Sequence, residues 1–406
     1  MQVLMIAPSY PPEMAFFTRA LAEAGARVLG LGDGPAGSLD PVARRALSGY
    51  LQVPSLWDEA ATVAAVRAWP LARGLERVEC LWEPGVILAA RLREALGLPG
   101  QDVAHAIPFR DKEAMKQVLD RAGIRTPRHH RARTEAEVRE AAAALGYPLI
   151  VKPIAGAGSA DTYRVDSPQR LEEVLGLVRH VAEVSVEEFI DGEEFTFDTI
   201  CAGGHILFEN VSWYRPRPLV ARTHEWISSQ TIALRDTHAP HLQGGIEMGR
   251  KVLAALGFGT GFTHMEWYLT ARGEAVFGEI GGRAPGARST DIMNYCCDDD
   301  VFAGWAEAVV HGTTRRPFHR LYNAAIVFKR AQGAGRIRRI EGAGRLRADF
   351  GRWLVAEDLL PVGAARRNWR QTLISDGWWV VRHPDLATCV AMADRIGTDL
   401  HLFASP

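Results

Sequence analysis

The stretch HMEWYLTARGEAVFGE at residues 264–279 is predicted to form a β-hairpin that turns at Arg272-Gly273. A symmetric turn at that point places Glu266 directly opposite Glu279 on one face of the hairpin. Two facing carboxylates repel each other and destabilise a hairpin unless a divalent cation lies between them. Oxygen ligands of this kind suit Mg²⁺ held together with substrate phosphates, and Mn²⁺ can replace it. The stretch therefore predicts a metal site at Glu266 and Glu279.

The same face of the hairpin continues beyond the second glutamate. With a side-chain period of two, Gly281 and then Arg283 follow Glu279 on that face. A guanidinium group is therefore predicted beside the metal. The alternative interpretation of Arg283 is a structural ion pair with Glu279, because arginines often pair with carboxylates.

A lysine and a glycine-rich loop form a second candidate site. Lys152 ends a predicted strand, and the loop that follows contains Gly156, Gly158 and Ser159. Glycines let backbone N–H groups approach phosphate oxygens, and the ammonium group adds a positive charge. The motif differs from a Walker A loop, since no GK[ST] follows and the next predicted element is a strand. An ordinary glycine-rich turn remains the alternative.

Lysine is rare in this chain, which makes each lysine informative. Arginine and lysine together number 47, yet only five are lysines, at positions 112, 116, 152, 251 and 329. A compact ammonium group is retained where a planar guanidinium does not serve. Lys116 and Lys251 lie on predicted helices and are expected to be solvated surface residues.

The segment VEEFIDGEEF at residues 186–195 is a third candidate site. An extended strand that is apolar on both faces can offer backbone groups to the edge of an adenine, and Glu194 can accept hydrogen bonds from ribose hydroxyls. An exposed acidic hairpin is the alternative.

The first hundred residues alternate between short apolar runs and helical stretches. Strands are predicted at residues 2–7, 27–31, 78–82 and 103–107. This alternation predicts an α/β domain with a doubly wound parallel sheet. No GxGxxG motif opens a helix after the first strand, so no dinucleotide is predicted here.

Beyond residue 110 the pattern changes to mixed helices and hairpins. One helix is predicted from its N-cap Asp111 to Gly123, and another from a capping box at Thr134 and Glu137. Further elements are a hairpin at 149–165, a helix from 167, strands at 184–190, 194–200, 324–328 and 378–381, and a helix at 384–396. The segment 213–235 is predicted to be a mobile polar loop over the substrate, with surface decoration as the alternative.

Length, charge and composition limit the function classes. A chain of 406 residues predicts two to four domains. The formal net charge is −1, so no global field attracts nucleic acid or an anionic membrane, and no partner of either kind is expected. No apolar stretch is long enough to span a membrane or to resemble a secretion signal. Five scattered cysteines fit buried thiols in a reducing cytoplasm.

The order of these motifs resembles the ATP-grasp superfamily. The matching features are Asp111-Lys112 at a helix start, Val151-Lys152-Pro153 before the glycine-rich loop, the hinge at residues 187–190 with Glu194, and the carboxylates Glu266 and Glu279 with Arg283. The resemblance covers residues 111–310 well. It implies an ATP-grasp fold with a parallel-sheet domain at 1–108, a core at 109–314 with a lid near 134–190 and a catalytic part near 191–314, and a C-terminal α+β lobe at 315–406.

The resemblance also implies a role for each matching residue. Lys112 and Lys152 would bind ATP phosphates, with Gly156, Gly158 and Ser159 as a lid over them. Adenine would contact Glu187, Glu188, Phe189 and Ile190, and ribose would contact Glu194. Glu266 and Glu279 would bind Mg²⁺. Gly281 stands where the family usually has an asparagine ligand, which leaves two carboxylates and the nucleotide to hold the metals.

The implied reaction is ATP-dependent amide formation through an acyl phosphate. Among the branches of the family, L-amino-acid ligases look closest, so the expected substrates are a small carboxylate and an amine, both amino acids, in a cytoplasmic enzyme that could be a homodimer. Arg283 would stabilise the oxyanion of the tetrahedral intermediate, and Arg288 and His264 would contact substrate. The alternatives are a bicarbonate-activating enzyme like biotin carboxylase and a catalytically silent nucleotide-binding module.

Overall fold

A parallel sheet forms the N-terminal part of the chain, as the sequence predicts. The structure, a computed structural model, describes residues 1–156, 161–369, 371–372 and 374–406. The first strands and helices are β1 (Gln2–Ile6), α1 (Met14–Glu23), β2 (Arg27–Gly32), α2 (Pro41–Ala46), β3 (Leu47–Gln52), α3 (Glu59–Ala68), β4 (Arg77–Glu79), α4 (Val86–Leu96) and α5 (Val103–Ala106). The four strands are parallel in the order β3-β2-β1-β4.

The strand predicted at residues 103–107 is wrong, because this segment is helical. It forms α5 and continues into a 3₁₀ turn at Ile107–Phe109. The side chain of Asp102 accepts a hydrogen bond from the backbone N–H of His105, which satisfies a donor in the first turn. Ala106 packs against Val86 of α4. The helix cap at Asp102 and the contact of Ala106 with α4 therefore outweigh the strand propensity of residues 103–107.

A four-stranded antiparallel sheet with two covering helices follows. Its elements, after the helix that leads into it, are α6 (Lys112–Arg121), β5 (His129–Ala132), α7 (Glu135–Leu145), β6 (Leu149–Pro153), β7 (Tyr163–Val165), α8 (Pro168–Leu177) and β8 (Val184–Glu188). The strand order is β5-β8-β6-β7. The predicted helix caps are confirmed: Asp111 accepts hydrogen bonds from the first turn of α6, and the capping box of α7 is complete. The predicted hairpin of β6 and β7 is also present.

A nine-stranded antiparallel sheet forms the centre of the molecule. The remaining elements are β9 (Gly192–Ala202), β10 (His205–Asn210), β11 (Ser212–Arg215), α9 (Pro218–Ala221), β12 (Gln230–Ala233), α10 (Pro240–Ala255), β13 (Gly261–Thr270), β14 (Ala275–Gly281), α11 (Ser289–Cys297), α12 (Val301–His311), β15 (Asn323–Phe328), β16 (Gln332–Gly333), β17 (Arg336–Glu341), α13 (Ala343–Phe350), β18 (Leu354–Leu359), β19 (Gly377–His383), α14 (Leu386–Asp399) and β20 (His401–Ser405). The central sheet runs β14-β13-β9-β11-β12-β15-β19-β18, with β10 on β9, and β16, β20 and β17 form a small separate sheet. C-terminal strands thus extend the sheet that carries the glutamate hairpin.

The hairpin of β13 and β14 pairs its two glutamates as predicted, but its turn differs from the prediction. Glu266 lies opposite Glu279, whereas the next pair towards the turn is Trp267 and Phe277. Gly278 is therefore an extra residue in β14, a β-bulge. A Cβ atom at Gly278 would lie 2.8 Å from the carbonyl oxygen of Glu266, so a side chain does not fit there without a shift.

The predicted mobile loop at residues 213–235 is wrong at both ends. Residues of β11 and β12 pair as antiparallel strands inside the central sheet, and α9 lies between them. Trp213 stacks on Phe195 with the ring centroids 6.3 Å apart, which fixes the start of the segment by apolar packing.

Helix α10 supports the glutamate hairpin from the opposite face of the sheet. Cβ atoms built on Gly245 and Gly249 would lie 2.3 Å from Trp267 and Phe197 respectively, so the helix backbone approaches the sheet closely. All five cysteines are buried free thiols, as predicted. In the described parts of the chain, no helix is both long and apolar enough to cross a membrane.

Candidate active site

Three lysines, the buried Glu187 and the half-buried Glu279 form a charged cluster between α6 and the two antiparallel sheets. Lys152 Nζ lies 2.9 Å from Glu187 Oε2, and the Nζ of Lys116 contacts the other oxygen of Glu187. Lys112 Nζ lies 3.3 Å from Glu279 Oε2 and donates a hydrogen bond of 2.6 Å to the carbonyl oxygen of Gly156. The cluster thus joins the strand end, the glycine-rich loop and the glutamate hairpin.

Lys116 is not the solvated surface residue that the sequence predicts. Its residue surface is 0% exposed, whereas Lys251 is exposed as predicted. Burial opposes ionisation of Glu187, yet the ammonium groups of Lys116 and Lys152 hold the pKa of that carboxyl well below its ordinary value. The Glu187 side chain therefore serves as the counter-ion of two lysines. If Glu187 contacts adenine as predicted, its backbone would make that contact.

An arginine lies among the residues predicted to bind adenine and ribose. Arg217 donates a hydrogen bond of 2.8 Å to the carbonyl oxygen of Ile190, and its Nε lies 3.3 Å from Glu194 Oε2. Its guanidinium lies between the rings of Phe189 and Tyr268, at 5.1 Å and 4.7 Å from their centroids. Burial raises the pKa of Glu194 to about 8, and the nearby Glu266 adds to this.

These groups line a small cavity of about 60 Å³, to which Lys112, Lys152, Glu187, Ile190, Glu194 and Arg217 contribute. Glu188 also lines it, and its carboxylate is held 3.1 Å from Arg125 NH2 and 3.1 Å from the backbone N of Arg128. Gly156 lines it too. Gly158 and Ser159 lie outside the described residues.

The two facing glutamates of the hairpin differ in their surroundings. Burial opposes ionisation of Glu279, but Lys112 and Lys152 lower its pKa to about 2. Glu266 lies 3.3 Å from the hydroxyl of Tyr214 and 3.5 Å from Nε2 of His264. Glu279 is thus neutralised by lysines, whereas Glu266 has weaker polar neighbours.

His264 is held between two carboxylates. Its Nδ1 lies 2.6 Å from Asp198 Oδ1, and Glu266 lies on its other side. Although burial favours the neutral ring, the hydrogen bond and charge of Asp198, with Glu266, raise the pKa of His264 to about 9. The protonated ring therefore orients Glu266 through Nε2.

The pair of glutamates fits a divalent cation by its chemistry. Both side chains offer carboxylate oxygens from directly paired positions, and both line the small cavity with the lysines. Across the described ranges no group of three or more histidine, cysteine, aspartate or glutamate side chains is arranged to hold a metal ion. The geometry thus offers two protein ligands, and Mg²⁺ would need phosphate oxygens or water for the remaining positions.

Arg283 pairs with Glu83 of the N-terminal part, and the predicted alternative pair with Glu279 is not formed. Its Nε lies 2.7 Å and its NH2 2.5 Å from Glu83 Oε2. The other oxygen of Glu83 lies 2.5 Å from Arg110 NH1. Although burial lowers it, the pKa of Arg283 is raised overall, mainly by Glu83. Two arginines therefore share the carboxylate of Glu83. The three groups together keep a net positive charge near the glutamate pair.

A large cavity of about 620 Å³ adjoins the glutamate pair on the side away from the lysines of α6 and β6. Its walls come from the N-terminal part, the central sheet and the C-terminal part, and include Tyr10, Trp82, Tyr214, Arg283, Phe328 and Trp369. Glu266, Glu279 and His264 line it as well. Arg288 is not among its lining residues, because its guanidinium lies 3.4 Å from Asp291 Oδ1 and 5.0 Å from the ring centroid of Trp378.

Comparison with known proteins relates part of the chain to a known family and the whole chain to a known fold. Residues 109–212 match the family described as ATP-grasp domain. The whole chain also shares its fold with the crystal structure of an L-amino acid ligase from Bacillus licheniformis, at a TM-score of 0.80 and 22% identity over 100% of this chain and 99% of that one. The predicted ATP-grasp fold and the resemblance to that family are confirmed.

Two relatives match part of the chain in sequence. An L-arginine-specific L-amino acid ligase of Bacillus subtilis is 29% identical over 211 residues, which are 50% of this chain and 50% of that protein. A D-alanine–D-alanine ligase of Xylella fastidiosa is 37% identical over 120 residues, which are 28% of this chain and 39% of that protein. The chain thus matches about half the length, or less, of these curated relatives.

Three residues of the candidate site were not predicted from the sequence: Lys116, Arg217 and Glu83. For Lys116 a signal was present, because Lys112 and Lys116 are four residues apart and share one face of a helix. Arg217 and Glu83 carry no local signal. Glu83 is 200 positions from the arginine it pairs with, so only the tertiary fold brings the two together.

Proposed function

We propose that this protein is an ATP-dependent carboxylate–amine ligase that joins two amino acids through an acyl phosphate. One observation carries the proposal. Glu266 and Glu279 line both the small cavity with its lysines and the large cavity with Arg283. A phosphate bound on the lysine side and a carboxylate bound on the arginine side would therefore meet at the two glutamates.

The proposed reaction has two steps. A carboxylate oxygen of the first substrate attacks the γ-phosphorus of ATP, the bond from that phosphorus to its bridging oxygen breaks, and ADP leaves with the bonding electrons. The amine nitrogen of the second substrate then attacks the acyl carbon and loses a proton, and the bond from carbon to the phosphate oxygen breaks to release phosphate. Mg²⁺ bound at Glu266 and Glu279 would neutralise charge on the phosphates.

The chain's own residues would supply orientation and positive charge. Lys112 and Lys152 would contact phosphate oxygens, a role supported by their positions in the lining of the small cavity. Arg283 would stabilise the oxyanion that forms when the amine attacks. His264, held by Asp198, would orient the metal ligand Glu266.

Nucleotide binding requires the small cavity to open. Ligand sites for molecules of this size occupy about 300–1,000 Å³, whereas the small cavity measures about 60 Å³. Arg217 fills the space between Phe189 and Tyr268 and occupies the carbonyl oxygen of Ile190. The adenine of ATP would take the place of the Arg217 guanidinium on that carbonyl.

The choice of amino acids as substrates has two supports. The relatives that match in sequence are named as ligases of L-amino acids and of D-alanine. The large cavity, at about 620 Å³, has room for two amino acids, which is more than a bicarbonate ion needs. The size of the cavity therefore favours amino acids over bicarbonate activation.

Release of ADP from ATP with pooled amino acids tests the proposal. The purified protein is incubated with Mg²⁺, ATP and pools of amino acids, with bicarbonate plus single amines as a separate arm, and products are identified by mass spectrometry. ADP, phosphate and a dipeptide are expected in equal amounts, and Glu279→Gln should abolish all three. ADP release only with bicarbonate would establish the carboxylase alternative, and ATP binding without ADP release in any arm would establish a silent module.

A further inference from the structure

Two arginines that have no assigned role in the reaction also line the large cavity. Arg222 follows α9, and Arg330 follows β15. Both side chains are half-buried and both line the cavity that contains Arg283 and the two glutamates of the hairpin. Arg222 lies in the segment between α9 and β12, and Arg330 follows β15, the strand that pairs with β12.

The Arg330 guanidinium is fixed in place by its neighbours. Its NH1 donates hydrogen bonds of 2.9 Å to the carbonyl oxygens of Ala221 and His224. The guanidinium also stacks on Trp369, 4.7 Å from the ring centroid. Its Nε is buried, and among the described residues it has no hydrogen-bond partner. The group is thus preorganised and retains capacity to donate.

The acidic groups that face Arg330 are engaged by another arginine. Burial lowers the pKa of Arg222, and burial together with the charge of Arg222 lowers the pKa of Arg330. The acidic groups that face Arg330 are Glu225 and Asp376, and Arg366 contacts both of them, at 2.6 Å and 3.4 Å. Asp376 also accepts from the backbone N of Ala331 and of residue 367. A bound anion would relieve the repulsion between the two cavity arginines.

We infer that Arg222 and Arg330 form the subsite for the carboxylate of the amine substrate, so that this ligase accepts amino acids rather than simple amines as nucleophiles. The inference rests on the proposed function. The carboxylate of the first substrate is consumed at the glutamate pair, and the phosphates are placed on the lysine side. A second cationic site in the same cavity therefore suits a carboxylate that survives in the product.

A structural role for Arg330 would predict different behaviour. Because Arg330 holds the carbonyls of residues 221 and 224, its loss could simply loosen that segment. Arg366 provides a matched control, since it anchors Glu225 of the same segment but does not line the large cavity. Arg366→Gln should therefore loosen the segment without removing the subsite.

The test compares nucleophiles with and without a carboxylate. With a carboxylate substrate from the pooled screen, kcat and KM are measured for L-alanine, L-alaninamide and hydroxylamine, the last of which traps an acyl phosphate as a hydroxamate. In Arg222→Gln and Arg330→Gln the KM for L-alanine should rise about 10- to 100-fold, as expected for lost hydrogen bonds to a charged group. The hydroxamate rate and the KM for L-alaninamide should change less than about threefold. Arg366→Gln keeps both cavity arginines but frees Glu225 and Asp376, so it should raise the KM for L-alanine less than Arg330→Gln does.

Each other outcome has a definite meaning. Equal losses with all three nucleophiles in Arg330→Gln, or an unchanged KM for L-alanine in both variants, would overturn the subsite. A rise in the KM of the first carboxylate instead would reassign the arginines to that substrate and also overturn it. Wild-type protein that forms neither ADP nor hydroxamate would refute the proposed function itself, and the subsite with it.

Discussion

At the scale of single residues, Lys152 is the clearest test of the phosphate site. Lys152→Ala should weaken ATP binding at least about tenfold, because a charge-assisted contact to phosphate is lost while Lys116 still neutralises Glu187 and preserves the fold. Lys152→Arg should rescue little, since the side chain is only 12% exposed and a planar guanidinium is bulkier than an ammonium group. Calorimetric ATP affinity measures both effects.

Lys251→Ala is the matched control, because that lysine is exposed on α10. The Lys251→Ala variant should bind ATP with the affinity of the wild type. Wild-type affinity in Lys152→Arg would show that any positive charge suffices at this position and would remove the special role of the ammonium group.

The two metal ligands should differ in their effect on stability. Glu279→Gln removes the carboxylate whose pKa is lowered mainly by Lys112 and Lys152, so the melting temperature of the protein without Mg²⁺-ATP should fall. Glu266→Gln relieves the repulsion of Glu194 but also removes one of the two carboxylates that hold protonated His264, so that melting temperature should change less than in Glu279→Gln. Both variants should lose Mg²⁺-dependent turnover.

Thermal melts with and without Mg²⁺-ATP, followed by turnover assays, distinguish the two glutamates. The ligand-induced rise in melting temperature should shrink in both variants, because the metal loses one of two protein ligands. A large loss of stability in Glu266→Gln without ligand would mark that residue as structural instead.

At the scale of elements, the bulge in β14 sets the register of the metal pair. Gly278→Ala would place a Cβ atom 2.8 Å from the carbonyl oxygen of Glu266, and backbone must shift to make room. We expect a loss of about 1–3 kcal/mol in the free energy of unfolding and a larger proportional loss of Mg²⁺-dependent turnover, because the shift separates Glu266 from Glu279. Denaturant unfolding and turnover at saturating ATP measure the two effects.

Gly244→Ala provides the control for Gly278. It lies exposed in α10, where the added Cβ would meet only Ala275 at 3.5 Å, and alanine in a helix should stabilise by about 0.5–1 kcal/mol. If Gly278→Ala behaves like this helix control, the bulge does not fix the register and the two glutamates are paired by other contacts.

The elements that the sequence predicted well are those with local signals. Asp111 and the Thr134 capping box mark helix starts through hydrogen bonds within one turn, and the facing glutamates follow from one hairpin. The failures depend on distant contacts. Lys116 is buried only because Glu187, 71 positions away, meets it, and the apolar run at 103–107 becomes helical because Ala106 packs on α4. Periodicity cannot show such contacts, since it reports one element at a time.

At the scale of the whole molecule, the large cavity exists only because three parts of the chain meet. The segment after β4 supplies Trp82 and Glu83, the central hairpin supplies the glutamates, and β15 leads to Arg330. Contact between these parts also orients Arg283, because its guanidinium donates to Glu83, 200 positions earlier in the chain. A site assembled in this way couples the geometry of the reaction to the packing of the N-terminal part against the core.

Arg283 and Glu83 together test that coupling. Arg283→Ala should reduce single-turnover amide formation by about 10²- to 10³-fold, the usual cost of losing an oxyanion donor, with little change in ATP affinity because Arg283 lines the large cavity and not the small one. Glu83→Gln keeps the guanidinium but weakens its anchor, so turnover should fall less and ATP affinity should stay unchanged.

Equal losses of ATP affinity and turnover in Arg283→Ala would make Arg283 a structural ion-pair partner of Glu83. Unchanged turnover would reject its catalytic role, whereas a loss in Glu83→Gln as large as in Arg283→Ala would show that orientation from the N-terminal part, rather than positive charge alone, makes the arginine effective.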